Sequence, residues 1–236
     1  MKSKIISVCI LFASLFIISC NNSISKMQSD KGKTISLFDG KSLSGWHGFN
    51  KTGEIRNWTI EDGAMVCLGA AKDAAGGDIV SDKQFENFEL SWEWKMSKEG
   101  NSGLMYHVIE SAKYKAPYET GPEYQMIDDI GFPAKLEEWQ KTGADYAMHN
   151  ANEKKNVKPL GEWNTSKIIF NKGHVEHWLN EEKIVEFEAW SDDWKKKRTE
   201  GKWKDFSDYG TAKKGGIALQ DHGNKAWFKN ITIREL

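Results

Sequence analysis

Along short runs of the chain apolar and polar side chains alternate, the period expected of strands with one face against a core. Phe88-Glu-Leu-Ser-Trp-Glu-Trp-Lys-Met96 alternates without a break, which puts Phe88, Leu90, Trp92, Trp94 and Met96 on one strand face. Asn57 to Leu68 reads as a hairpin turning at Glu61-Asp62-Gly63. Further strands are predicted over Ser102–Ile109, Glu123–Ile127, Ser166–Phe170, His174–Leu179, Lys183–Phe187, Gly216–Gln220 and Ala226–Arg234. Helical signals are confined to Ala134–Gln140 and to Ser191–Arg198, where Ser191 is an N-cap with acids in the first turn and bases in the last. Both read as insertions on a rim. Many short strands and few helices predict an all-β sandwich or barrel in one domain. Two long loops, Glu110 to Pro122 and Gly131 to Gly161, are placed to flank an open sheet face, and loops of this length usually carry function.

The N-terminus breaks this pattern. Lys2 and Lys4 precede an apolar run from Ile5 to Ile18, too short for a membrane span and suited to a signal peptide. Its Ile17-Ile18-Ser19-Cys20 ending resembles the lipobox of bacterial lipoproteins, which implies lipidation of Cys20. Residues 1–19 are thus expected to be a lipoprotein signal, residues 20–35 a lipidated tether, and residues 36–236 the domain. The expected location is the cell envelope, lipid-anchored and periplasm-facing, since no acidic cluster follows Cys20.

Composition adds limits. The 236 residues carry 33 Lys and Arg against 34 Asp and Glu, a formal net charge of -1, which gives no general attraction to nucleic acid. Removing residues 1–19 takes Lys2 and Lys4, so 31 basic residues face 34 acidic ones. Of 3 Cys, Cys9 leaves with the signal and Cys20 carries lipid, so Cys67, in an apolar run, is expected to be a small core residue. Eleven Trp beside 11 Phe and 6 Tyr is an unusual aromatic mix. Trp92 and Trp94 belong to a core face and Trp139, Trp194 and Trp203 to rim insertions, while Trp163 and Trp190 are the candidates for stacking on a ligand.

Alternation also gathers polar groups. Glu123 and Gln125 share one strand face, Asn101 and His107 one side of another strand, and Gln220 and His222 the side opposite Leu219. A carboxylate, amides and imidazoles on one sheet face could bind a polyhydroxylated ligand and move its protons. The plainer alternative for Glu123 is a strand acid in a surface ion pair. A divalent metal could use Glu123, His107 and His222, although no fixed ligand spacing is present. His174 and His177 are three apart on a strand and face opposite ways, which argues against a shared metal site. Asp128 and Asp129 read as turn residues before Gly131.

Leu37-Phe-Asp-Gly-Lys-Ser-Leu-Ser-Gly-Trp46, Asn101-Ser-Gly-Leu104, Glu123-Tyr-Gln-Met-Ile-Asp128, Gly161-Glu-Trp-Asn164, His177-Trp-Leu-Asn180 and Ile217-Ala-Leu-Gln-Asp-His-Gly223 with Phe228-Lys-Asn-Ile231, taken in this order, resemble the 3-keto-disaccharide hydrolase domain family. The resemblance covers about Ser36 to Leu236. It implies a concanavalin A-like jelly-roll sandwich with a sugar-binding face. Lys229 stands where the family motif has Arg, which keeps the charge and loses a bidentate fork.

A 3-keto sugar supports a route that ordinary glycosides lack. Its ketone acidifies the C2 hydrogen, so a base can take that proton, the aglycone at C1 can leave by β-elimination, and water can add to the double bond. In this reading Glu123, His222 and Gln125 carry the chemistry. Asn101, His107, Gln220, Trp163, Asn164, Trp190 and Lys229 hold the substrate, and a sugar oxidoreductase supplies it. Two alternatives stand beside it: a noncatalytic carbohydrate-binding module, or a conventional glycoside hydrolase using Glu123 with a second carboxyl such as Asp129 or Glu119.

Overall fold

The alternation of β6 (Phe88–Met96) is realised residue for residue, with every odd position of the strand buried and every even one part-exposed. In this computed structural model, which describes residues 32–69 and 77–236, β6 lies inside a large antiparallel sheet between β9 (Asn164–Asn171) and β13 (Lys225–Glu235). Outside β9 come β10 (His174–Leu179) and the edge strand β11 (Glu182–Glu188). On its other side β13 pairs first with β4 (Ala64–Leu68), which is joined to β3 (Trp58–Glu61), and then with β1 (Thr34–Ser36). The β3–β4 turn has Asp62 at φ 49 and Gly63 at φ 75, the pair of left-handed residues that a two-residue hairpin needs.

The second sheet runs β2 (Trp46–Gly48), β5 (Ile79–Ser81), β12 (Gly216–Leu219), β7 (Asn101–Val108) and β8 (Glu123–Ile127). Its inward residues Leu104, Tyr106, Tyr124, Met126, Ile217 and Leu219 meet Phe88, Leu90, Trp92 and Trp94 in one core. Trp92 packs edge-on to Tyr124 at 5.0 Å, and the Trp94 indole N–H donates to Ser166 Oγ at 2.8 Å. Each such buried side chain contributes roughly 1.5–3 kcal/mol from removal of apolar surface from water. The architecture is the expected all-β jelly-roll sandwich.

The expected helix over Ala134–Gln140 is corrected to a single 3-10 turn at Glu138–Gln140. A capping box between Glu137 and Gln140 closes that turn, and no residue of it is buried, so nothing extends it into a helix. Helix α1 (Asp192–Glu200) forms as expected, with Ser191 Oγ accepting the Trp194 amide at 3.2 Å. The tether reading is corrected at its end, because Thr34 and Ile35 pair with Arg234 and Ile233 of β13. The signal peptide and Cys20 lie outside the described residues. Cys67 is fully buried, and burial pushes its thiol far up, which suits a core residue.

The outward face of the small sheet is what positions the site. Part of it is apolar, with Phe49, Val80, Met105, Val108 and Ala218 packed together. Beside this patch the same face carries Asn101, Glu123 and Gln125.

Candidate functional site

β7 and β8 pair with Gly103 opposite Gln125 and Met105 opposite Glu123. Gly103 is required here: a Cβ at that position would lie 1.9 Å from Glu123 Oε1, so the carboxylate occupies the space that any side chain would fill. Glu123 is 4% exposed and forms no ion pair among the described residues. Burial pushes its carboxyl up to about 8, against the pull of the Lys202 ammonium, and the charges of Asp78 and Asp145 act in the same direction as burial.

Glu123, Gln125, Asn101, Gln220 and His222 line one cavity of 330 Å³. Gln125 Oε1 accepts the Met126 amide at 3.0 Å, which leaves the side-chain NH2 to donate into the cavity. Asn101 Oδ1 and Gln220 Oε1 are buried acceptors without a partner among the described residues. An unpaired buried acceptor is costly, and a ligand hydroxyl would relieve it. Gln220 is set by its backbone, whose N–H donates to the Gly103 carbonyl at 2.9 Å and whose carbonyl accepts Ser102 Oγ at 2.8 Å. Exposed His222 follows in the β12–β13 connection. Asp221 secures that connection by accepting from Asn57 Nδ2 at 2.5 Å, Gly77 N at 3.2 Å and Gly223 N at 3.1 Å.

The opposite wall is aromatic and comes from the insertions. Tyr118 is contributed by the first long loop, Tyr146 by the second, and Lys202, Trp203 and Phe206 by the segment after α1. Trp203 stacks on Tyr209 at 4.0 Å, and the Lys202 ammonium lies 4.0 Å from the Tyr146 ring centre and 5.3 Å from that of Trp203. None of these five was among the expected site residues. The signal available was their position on long loops and on a Trp-bearing rim insertion.

Five expected binding residues are elsewhere. His107 is corrected to a core residue: β7 and β12 shift register between Gly216 and Ala218, His107 sits at φ 54, and the bulge turns its ring inward against Phe88 and Phe170. Its Nε2 donates to the Glu86 carbonyl at 2.8 Å, and burial lowers its pKa to about 4. Lys229 and Trp163 lie on the outer face of the large sheet, where Lys229 pairs with Glu93 at 3.3 Å and sits 4.2 Å over the Trp163 ring. Trp190 packs on Phe170 and donates to the Gly210 carbonyl at 2.8 Å. Asn164 is buried, and its Oδ1 accepts from Lys158 N and from Asn180 Nδ2, both at 2.9 Å, beside an apolar groove lined by Trp94, Met96 and Leu160.

The proposed metal set is corrected with His107, since only Glu123 and His222 of the three face the cavity. Asp129 is also structural, accepting from Thr142 N at 2.8 Å and from Lys155 Nζ at 2.8 Å. Glu119 accepts from Lys115 N at 2.8 Å. Among the described residues Glu123 is the one carboxylate lining the cavity.

A buried carboxyl with amides and an imidazole on one side, and an aromatic wall on the other, is equipment for work on a sugar. The comparisons agree. Residues 33–234 match the family described as the 3-keto-alpha-glucoside-1,2-lyase-like domain. The chain is 37% identical over 227 residues to a 3-keto-disaccharide hydrolase of Bacteroides thetaiotaomicron, covering 86% of this chain and 78% of that protein. A candidate glycosyl hydrolase of Parabacteroides distasonis superposes with a TM-score of 0.80 at 46% identity, covering 89% of this chain and 96% of that one. A second from the same organism superposes at 0.63 with 28% identity, covering 86% and 100%. The chain therefore belongs to the 3-keto-alpha-glucoside-1,2-lyase-like domain family and is a glycosidase-like carbohydrate hydrolase.

Proposed function

We propose that the protein cleaves 3-keto glycosides by elimination and hydration, with Glu123 as the base. The observation that carries this reading is one buried carboxylate, raised to about 8 and without a second carboxylate among the described residues of the cavity. A conventional glycosidase needs two carboxyls about 5–9.5 Å apart on either side of the bond. Elimination needs one base and a means of holding enolate charge.

In the proposed sequence Glu123 takes the proton from C2, and the electron pair passes to the C3 carbonyl oxygen as an enolate. Donors from Gln125, His222 and the Lys202 ammonium face that charge across the cavity. The enolate collapses to a C1–C2 double bond as the C1–O bond breaks, and the aglycone oxygen receives a proton from His222 or water. Water then adds across the double bond, its hydroxyl to C1, while the Glu123 carboxyl, its proton exchanged with solvent, protonates C2. The sum is hydrolysis. Asn101 Oδ1 and Gln220 Oε1 accept from sugar hydroxyls, and the Trp203 side of the cavity receives the C–H face of a ring. The ketone must come from an oxidoreductase acting on the parent glycoside. The N-terminal run ending Ser19-Cys20 supports an exported, lipid-anchored protein facing the periplasm, and Cys20→Ala is expected to move it from the membrane to the soluble fraction.

The deciding experiment incubates the protein with a 3-keto glucoside and with its parent glucoside in deuterated water, beside Glu123→Gln and His222→Ala. Turnover of the keto substrate alone, with deuterium entering at C2, is expected. Absence of turnover overturns the enzymatic assignment of this cavity, and equal turnover of both substrates overturns the keto-dependent route.

A further inference from the structure

We propose that the outer face of the β10–β11 hairpin is a divalent-cation site of the zinc class, held by His174, Glu176 and Glu186. It is separate from the sugar cavity, which opens on the outward face of the other sheet.

The register places Glu186 opposite Glu176 and Glu188 opposite His174. By strand parity all four point outward, while Val175 and His177 between them are buried. The result is a cross-strand square of one imidazole and three carboxylates. Two glutamates directly opposite each other repel, so this arrangement favours a cation between them, a place the Lys183 ammonium takes in this structure.

The geometry suits a metal closely. His174 Nε2 lies 3.3 Å from Glu186 Oε1 and 3.5 Å from Glu176 Oε1, and one ligand atom from each residue lies within 4.8 Å of the others. With zinc-to-ligand distances of about 2.0–2.2 Å, the edge of a tetrahedron is roughly 3.4 Å. Both inner ligands are already aimed. Glu188 Oε1 accepts from His174 Nδ1 at 2.6 Å, which turns Nε2 toward the square, where it contacts Glu176 Oε1 at 3.5 Å and where an ion would take the place of its proton, in the carboxylate–imidazole–metal order usual at zinc centres. The Trp178 indole donates to Glu176 Oε2 at 2.7 Å, which leaves Oε1 facing His174. Water completes the fourth position. Lys183 now contacts Glu176 Oε1 at 3.3 Å and Glu186 Oε2 at 2.7 Å, and its flexible, solvent-facing stem lets a divalent ion displace it. Because β11 is the edge of the large sheet, an ion here would pin that edge strand to its neighbour.

The test is calorimetric titration of the chelator-treated full chain with zinc chloride at neutral pH, with circular dichroism to confirm that each variant is folded. Saturable binding of one equivalent is expected, weakened at least ~10-fold by His174→Ala, by Glu186→Gln and by Glu188→Gln. Lys183→Ala is expected to bind at least as tightly as the parent, since it removes the competing ammonium. Cobalt is expected to give a tetrahedral visible spectrum that His174→Ala abolishes. No saturable zinc binding overturns the proposal and leaves an ion-pair network. Binding lost in Glu123→Gln or His222→Ala but kept in His174→Ala overturns it by placing the ion in the sugar cavity.

Discussion

On the outward face of the large sheet, acids and bases meet in exposed cross-strand pairs: Glu89 with Arg234 at 2.9 Å, Glu93 with Lys229 at 3.3 Å, and Glu61 with Lys225 at 3.1 Å. On the outward face of the small sheet, Glu123 is buried without an ion pair among the described residues, in a cavity where the amide oxygens of Asn101 and Gln220 find no partner among those residues either. The first arrangement tolerates change, since exposed pairs contribute about 0–1 kcal/mol each. The second is held at a cost in folding free energy, because desolvating a carboxylate and leaving acceptors unmade both destabilise the fold. Insertions that wall off the small sheet's face make this difference, by excluding water from one carboxylate and leaving the others wet.

The sharpest way to break the contrast is Glu123→Gln, which keeps shape and removes the base. Turnover of a 3-keto glucoside is expected to fall roughly 10²–10⁴-fold, measured as kcat, while the fold is retained. Gly103→Ala follows, because its methyl would enter the space of the Glu123 carboxylate. Thermal unfolding should show a loss of about 1–3 kcal/mol together with a large fall in activity, whereas an unchanged midpoint would mean that the strand yields.

pH distinguishes the two faces next. The Glu123 carboxyl is raised from 4.5 to about 8, so between those values the folded chain keeps a proton that the unfolded chain has released. This contribution to stability is full at low pH, is lost as pH rises through that window, and changes no further above it. Urea midpoints across the window should show a slope that Glu123→Gln flattens and Glu93→Gln does not. Since the base must be ionised to act, kcat/KM should rise toward a plateau above about pH 8. Smaller effects are expected at the rims. Tyr118→Ala should raise KM several-fold, while Lys229→Ala should leave kinetics unchanged and shift stability within about 0.5 kcal/mol.

Much of the sandwich was legible because a sheet with one buried face imposes period two, which Phe88 to Met96 obeys throughout. Asn101, Glu123, Gln125, Gln220 and His222 could be gathered by the same parity. Parity failed at His107, where one extra residue in the strand reverses every inference beyond it. It also gave no access to Tyr118, Tyr146 and Trp203, whose positions depend on how insertions fold over the sheet. Trp163 and Lys229 misled for another reason: indole and lysine in a strand face serve equally as a solvent-facing cation–π pair.

The two sides of the cavity differ in their attachment. The Tyr146 amide donates to the Glu123 carbonyl at 3.0 Å and the Gln125 amide to the Ala144 carbonyl at 3.1 Å, so the segment bearing Tyr146 prolongs the sheet. Tyr118, by contrast, meets the segment after α1 through its ring, with Phe206 at 5.9 Å and Trp203 at 6.4 Å. One jaw is therefore built into the same ladder as the base, while the other closes on the cavity through its side chains. Amide exchange should accordingly be slow at Tyr146 and faster at Tyr118.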